Sequence, residues 1–185
     1  MLRIIAGEAK GRVLSAPRGR STRPTTARVR EALFNILGPR VIEADFLDVF
    51  AGSGAVGLEA LSRGARRAVF IENDKQALRC LQANLQNTGL GDRAEIWRSE
   101  VMSALAALIG RGESFDLIYV DPPYGKNLVS FVLPKLKLLS KPGGLVIVEV
   151  AAKGEFLPET GGWNQIKRYV YGSTALYFLT RPEGR

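Results

Sequence analysis

The stretch Phe46-Leu47-Asp48-Val49-Phe50-Ala51-Gly52-Ser53-Gly54-Ala55-Val56-Gly57-Leu58-Glu59-Ala60-Leu61 restricts the possible folds of this chain more than any other. Its opening apolar run is too short for a helix and is cut off by Gly52 and Gly54. Beyond them, Val56, Leu58, Ala60 and Leu61 begin a helical pattern. The segment therefore reads as a buried strand, a glycine turn and a helix. Glycine tolerates positive φ and lets the backbone approach a ligand, and the free N–H groups of a helix start favour polar or negative groups. These are the properties of a nucleotide-type cofactor site. Gly52, Gly54 and Gly57 fit G-x-G-x-x-G, and Glu72 ends the next apolar run, where a carboxylate can accept both hydroxyls of a ribose. Which cofactor is held depends on residues further along.

From Phe46 onward strand and helix alternate. After the first unit come a strand over 67–71 and a helix from Lys75 to Thr88, with Asp74 as N-cap and Gly89 as stop. A strand near Ala94–Arg98 and a helix near Val101–Ile109 follow, then the strand Phe115–Val120 and a helix over Leu128–Leu139. Pro142-Gly143-Gly144 is expected to turn into a strand over Leu145–Val150. The last two strands, Gln165–Tyr171 and Ala175–Thr180, are joined by a turn too short for a crossover and must be antiparallel. The pattern predicts an α/β fold, a mostly parallel sheet with helices on both faces. Ahead of it, residues 2–15 read as short strands around a turn, 16–24 as a loop that orders on its partner, and Thr25 or Thr26 as the cap of a helix to Leu37. That helix places Val29, Leu33, Ile36 and Leu37 on its apolar face, with Arg28 and Arg30 off it. Residues 1–40 thus form an N-terminal extension to a domain over 41–185.

Charge separates the same two parts. Of a net +8, nearly all sits in residues 1–40, where nine basic residues face only Glu8 and Glu31. The remaining 17 basic and 16 acidic residues almost cancel. A basic segment on a near-neutral domain is the footprint of phosphate-backbone contact. Eight of the nine are arginine, which pairs bidentately with phosphate and stacks on bases. Arg3, Lys10, Arg12, Arg18, Arg20, Arg23, Arg28 and Arg30 are therefore the candidate nucleic-acid-binding residues. With no histidine and one cysteine, Cys80, a Ser-His-Asp triad, a zinc site and an internal disulfide are excluded as expectations. No apolar run approaches a membrane span and the N-terminus lacks a signal-peptide core, so the expected location is cytoplasmic.

Asp121-Pro122-Pro123-Tyr124 follows the fourth predicted strand of the sheet. Ligands of open parallel sheets bind beyond the carboxyl ends of strands, which sets this tetrapeptide beside the glycine turn. Two prolines fix φ and remove two donors, leaving outward carbonyl acceptors. Asp121 and the Pro122 carbonyl can each accept one N–H of an exocyclic amine while Tyr124 stacks on a planar base. The tetrapeptide resembles the D/N-P-P-Y/F motif of S-adenosylmethionine-dependent amino-methyltransferases, and Asp48-Val49-Phe50-Ala51-Gly52-Ser53-Gly54 resembles their cofactor motif. More narrowly, five segments in order resemble the RsmD family of bacterial 16S ribosomal RNA guanine-N2 methyltransferases. They are Arg3-Ile4-Ile5-Ala6-Gly7, Arg23-Pro24-Thr25, Arg30-Glu31-Ala32-Leu33-Phe34-Asn35, Phe50-Ala51-Gly52-Ser53-Gly54 and Leu58-Glu59-Ala60-Leu61-Ser62-Arg63-Gly64.

The resemblance implies a Rossmann-like class I methyltransferase fold, S-adenosylmethionine as cofactor, and the small ribosomal subunit or its assembly intermediate as partner; a monomer is the default expectation for a compact basic enzyme acting on a large partner. It implies that Gly52 and Gly54 approach the methionine moiety and that Glu72, beside Asn73, holds the ribose. Glu100 would meet the adenine amine with Val101 stacked nearby, although Asp or Asn is more usual at that place. Phe34 and Asn35 are expected to close over the site. Rival readings are a nicotinamide-dependent oxidoreductase, a non-enzymatic RNA-binding assembly factor, and a methyltransferase acting on an exocyclic amine of DNA adenine or another RNA. The first lacks a proton-transfer residue, since there is no histidine and no tyrosine followed four positions later by lysine. The second leaves Asp-Pro-Pro-Tyr without a purpose. The third usually needs a target-recognition region, for which the chain has little room.

Overall fold

The computed structural model describes residues 1–17, 26–123, 128–153 and 162–182. β1 (Asp45–Asp48), β2 (Arg67–Glu72), β3 (Ala94–Arg98), β4 (Phe115–Val120) and β5 (Ser140–Ala151) run parallel. β7 (Thr174–Thr180) is antiparallel to β5, and β6 (Asn164–Tyr171) is antiparallel to β7 at the edge. The order is β3-β2-β1-β4-β5-β7-β6. Central strands buried on both faces need apolar residues at every position, which is why they read as short continuous runs. Alternation divides those residues between two cores. Phe46, Phe70, Leu117 and Ile147 face α1 (Ala27–Leu37), α2 (Ala55–Ser62) and α3 (Lys75–Thr88). Leu47, Val69, Ile118 and Val146 face α4 (Val101–Gly110) and α5 (Leu128–Leu139).

Caps follow the sequence. Thr26 Oγ1 accepts the Val29 N–H at 3.3 Å to start α1. Asp74 Oδ1 accepts from Gln76 and Ala77 at 3.1 and 2.9 Å, and Gly89 ends α3 in the left-handed region. The turn expected at Pro142–Gly144 is instead an irregularity within β5. Register with β4 jumps from Phe115↔Ser140 to Leu117↔Leu145, and Gly143 absorbs the slack at φ +72°.

Residues 1–17 form a loop closed by a single bridge, Arg3↔Val13, rather than strands. Ile4, Ala9 and Leu14 enter the same core as α1 and α2. Ala16 and Pro17 apart, the loop expected over 16–24 lies outside the described residues, and so do Arg18, Arg20 and Arg23. The loop docks on α2 through Glu59, which is fully buried. Glu59 Oε2 accepts the Ile5 N–H at 2.8 Å, and Oε1 accepts the Ala6 N–H at 3.0 Å and Arg63 Nε at 2.8 Å. Ser62 Oγ takes the Ala9 N–H and donates to the Ala6 carbonyl. A Cβ on Gly7 would sit 1.7 Å from the Ser62 carbonyl oxygen, so only glycine permits this approach.

Arg30 corrects an expectation. It is fully buried, paired with Glu59 at 3.6 Å, and donates from Nη2 to the Arg3 carbonyl at 2.6 Å. Burial pulls the guanidinium below its ordinary pKa, and Glu59 opposes that. An arginine so enclosed has no surface to offer RNA. It belongs to the buried node that joins three of the five resembling segments. Arg3, Lys10, Arg12 and Arg28 are exposed.

Candidate active site

A cleft of about 490 Å³ opens at the carboxyl ends of β1, β2 and β4, where the strand order reverses. This is the ligand position of open parallel sheets, and the volume lies in the range of small-molecule sites. The turn after β1 contributes Asp48, Val49, Phe50, Ala51, Gly52 and Ser53. β2 contributes Ile71, Glu72 and Asn73 at its end, and the turn before α4 contributes Ser99, Glu100 and Val101. Asp121, Pro122 and Pro123 line it from the end of β4. Tyr124 lies outside the described residues.

Gly52, at φ +55°, presents open backbone to the cleft, and no atom lies within 4 Å of where a Cβ would stand. Gly54 does something different from what its motif implies. It caps α2 at φ +79° without lining the cleft, and its Cβ would meet Leu81 Cδ1 at 2.3 Å. Gly57 likewise clears space for Phe70 Cε1, at 2.3 Å from its Cβ position. Of the three glycines, one faces the ligand space and two let neighbouring side chains pack closely on α2.

Glu72 ties the turn together. Its Oε2 accepts the Gly52 N–H at 2.8 Å, and Oε1 accepts from Asn73 and Asp74 at 2.8 and 2.7 Å. A carboxylate has about four acceptor sites, so Oε2 retains one for a ribose hydroxyl. Glu100 has two functions available. Oε2 caps α4 by accepting from Met102 and Ser103, while Oε1 has no hydrogen-bond partner among the described residues. An adenine amine is a donor of matching kind. Asp48, 2% exposed, accepts the Gly57 N–H at 3.2 Å. Burial pushes its carboxyl up to about 7, the Gly57 N–H opposes, and the Glu72 charge adds to the rise. A cationic ligand beside it would favour the ionised form. Glycine backbone, two ribose- and base-competent acids and a carboxyl responsive to cations together fit S-adenosylmethionine.

Other placements differ from expectation. Phe34 is buried under the Arg63 guanidinium, 5.0 Å from its ring centroid, and Asn35 is exposed; neither lines the cleft. Lining residues that the sequence did not single out include Ala16 and Pro17 from the N-terminal loop and Tyr119 from β4, whose hydroxyl donates to Glu149. Asn84 of α3 was missed as well. It bridges Ser15 and Ser53, and no short-range pattern marks it. Among the described residues no cluster of acids and cysteine could hold a metal, and no helix is long and apolar enough to cross a membrane.

The strand order, the glycine turn after β1, the acids after β2 and β3 and Asp-Pro-Pro after β4 define a class I S-adenosylmethionine-dependent methyltransferase. The family model described as conserved hypothetical protein 95 matches residues 2–180. Ribosomal RNA small subunit methyltransferase D of Escherichia coli K12 is 38% identical over 185 residues, covering 97% of this chain and 90% of that protein. A hypothetical protein of Thermus thermophilus superposes with TM-score 0.84 at 38% identity, over 96% of this chain and 98% of the other. The chain belongs to the RsmD family. The fold extends to a more distant structure, the Thermus thermophilus 16S rRNA N2 G1207 methyltransferase in complex with AdoMet and guanosine. Its TM-score is 0.70 at 24% identity, over 89% of this chain and 45% of that one.

Proposed function

We propose that this enzyme methylates the exocyclic N2 amine of one guanine in 16S ribosomal RNA of the small ribosomal subunit. One observation carries the reading: Asp121, Pro122 and Pro123 share a cleft with the Gly52 turn, so an amine acceptor lies beside the cofactor space. The Escherichia coli relative, named as a small-subunit ribosomal RNA methyltransferase, supports the substrate class. The exposed Arg3, Lys10, Arg12 and Arg28, with Arg18, Arg20 and Arg23 of the same segment, suit a phosphate backbone. We place the enzyme in the cytoplasm, as a monomer.

When bound, S-adenosylmethionine would supply a sulfonium methyl group as the electrophile for N2, with a neutral thioether as the leaving group. The residues of this chain have three tasks. Glu72 and Glu100 would hold the cofactor's nucleoside end through ribose hydroxyls and the adenine amine. Asp121 and the Pro122 carbonyl accept the two N–H bonds of the guanine amine, which aims its lone pair and favours its release from ring conjugation. Positioning of this kind lowers a barrier by several kcal/mol (about 7–11 in the best intramolecular cases). Asp121 also stabilises the positive charge that develops on nitrogen. The proton can then leave to water, in keeping with a chain without histidine.

The test is transfer of labelled methyl to ribosomal RNA, offered naked and as small subunits from a strain lacking the enzyme, with nucleoside analysis. N2-methylguanosine at one site is the expected product. Methyl on adenine, or on another RNA alone, would overturn the reading. Replacing Arg18, Arg20 and Arg23 together by alanine should weaken RNA binding and flatten its salt dependence.

A further inference from the structure

The amide of Asn84 ties the root of the basic segment to the cofactor turn. Oδ1 accepts the Ser15 N–H at 2.7 Å, and Nδ2 donates to the Ser15 carbonyl at 2.9 Å and to the Ser53 carbonyl at 2.9 Å. The residue is 1% exposed, so water offers no substitute for these bonds. An amide has two donor sites and two acceptor sites, and three of the four are committed to these two loops. Beside each clamp the chain lines the cleft, as Ala16 and Pro17 on one side and Gly52 and Ser53 on the other. In sequence, Arg18 follows Pro17 directly.

We propose that Asn84 is a positioning residue that couples occupation of the cofactor cleft to RNA binding by the basic loop that carries Ser15, through its exposed Lys10 and Arg12. The inference rests on the reading that this segment binds RNA. Both backbone groups of Ser15 are held by one rigid amide plane, and the same plane holds Ser53. A displacement of the cofactor turn therefore tilts the clamp on Ser15, and a displacement of Ser15 is felt at Ser53. A cleft ligand touches both neighbours of the clamp and stabilises one setting of it. The setting favoured by a filled cleft is the one that binds RNA more tightly, and by linkage each ligand then raises the affinity of the other by the same factor. The fold supplies its own control. Asn87, one turn later on α3, donates from Nδ2 to the Val13 carbonyl at 2.7 Å, holding the same loop without reaching the cofactor turn.

The experiment uses the full chain, S-adenosylhomocysteine and a fragment of small-subunit ribosomal RNA. Fluorescence anisotropy reads RNA affinity with and without S-adenosylhomocysteine, and calorimetry reads the reverse. In the wild type each ligand should tighten the other by about fivefold or more. Asn84→Asp keeps the acceptor and loses both donors, and should bring the factor close to one. Asn87→Ala should leave it unchanged. Thermal melting checks folding, and Asn84→Ser replaces Asn84→Asp if the buried charge unfolds it. A wild-type factor of one, a factor undiminished in the Asn84 variant, or equal losses in both variants would overturn the proposal. The RNA-binding reading fails separately, if replacing Lys10 and Arg12 together by alanine keeps the wild-type affinity and salt slope. Where that variant responds and S-adenosylhomocysteine changes nothing, the coupling alone is wrong.

Discussion

Glu59→Gln should be among the most damaging single substitutions in this protein, through stability rather than chemistry. The carboxylate is fully buried and accepts hydrogen bonds from Ile5, Ala6 and Arg63 while facing Arg30 at 3.6 Å. Glutamine keeps the volume, but one oxygen becomes an NH₂ group that faces donors, and Arg30 loses its countercharge. Breaking a buried ion pair by removing one partner costs about 3–5 kcal/mol. Against a total of about 5–15 kcal/mol for a typical domain, that is a large fraction. At roughly 2–4 °C per kcal/mol for a chain of this size, the melting temperature should fall by about 6–20 °C. Urea and thermal unfolding read both quantities. Adding Arg30→Met should restore part of the loss, because the uncompensated charge goes with it, giving a coupling of about 1–3 kcal/mol in a double-mutant cycle. Glu59 does not line the cleft, so S-adenosylhomocysteine affinity well below the melting temperature should stay within about twofold of wild type. A loss below about 1 kcal/mol would refute the claim that the node depends on this charge. Lost cofactor affinity with intact stability would move Glu59 into the site.

Three further perturbations test the cleft and the opposite end of the sheet. Asp121→Ala should lower methyl transfer by at least about tenfold while S-adenosylhomocysteine still binds, and retained turnover would remove the residue from the mechanism. Asp48, with its folded carboxyl near 7 and an ordinary value of 3.8, binds its proton more tightly in the folded state. Its contribution to stability therefore declines as pH rises from about 4 to 7. Asp48→Asn should gain on the wild type by about 2–3 kcal/mol between pH 5 and 8, read by denaturation at those two values, and a pH-independent difference would contradict the assignment. Asp45 behaves oppositely. Burial raises its pKa, but hydrogen bonds from Lys141, Arg66 and Arg67 outweigh that and hold it below the ordinary range. Its stabilisation is present above the unfolded-state pKa and is lost as pH falls through the lower folded value. Asp45→Asn should thus cost stability at pH 7 and progressively less as pH falls below the ordinary carboxylate range, with a pH-independent cost refuting it.

Sequence alone determined the features that depend on neighbours along the chain. The apolar runs of β1, β2 and β4, the caps Thr26, Asp74 and Gly89, and the tight turn at Gly172-Ser173 are local physics, and each appears where the pattern puts it. The shared position of Glu72 and Asp121 at one cleft was also legible, because parallel strands bring their carboxyl ends together whatever the rest of the chain does. Tertiary structure decided the roles that depend on what faces a residue. Arg30 belongs to the buried face of α1 with Leu33, Phe34 and Leu37, although charge argues for the surface. Glu59, arriving from another helix, and the Arg3 carbonyl of the N-terminal loop make that burial possible. Phe34 goes to the core for the same reason, beneath Arg63. Gly54 looks like a ligand-facing glycine until Leu81 of α3 fills the place of its Cβ. Asn84 carries no local mark, because its partners Ser15 and Ser53 lie 69 and 31 residues away. Periodicity tells which side of an element is buried, but the identity of the buried partner is settled only when distant segments meet.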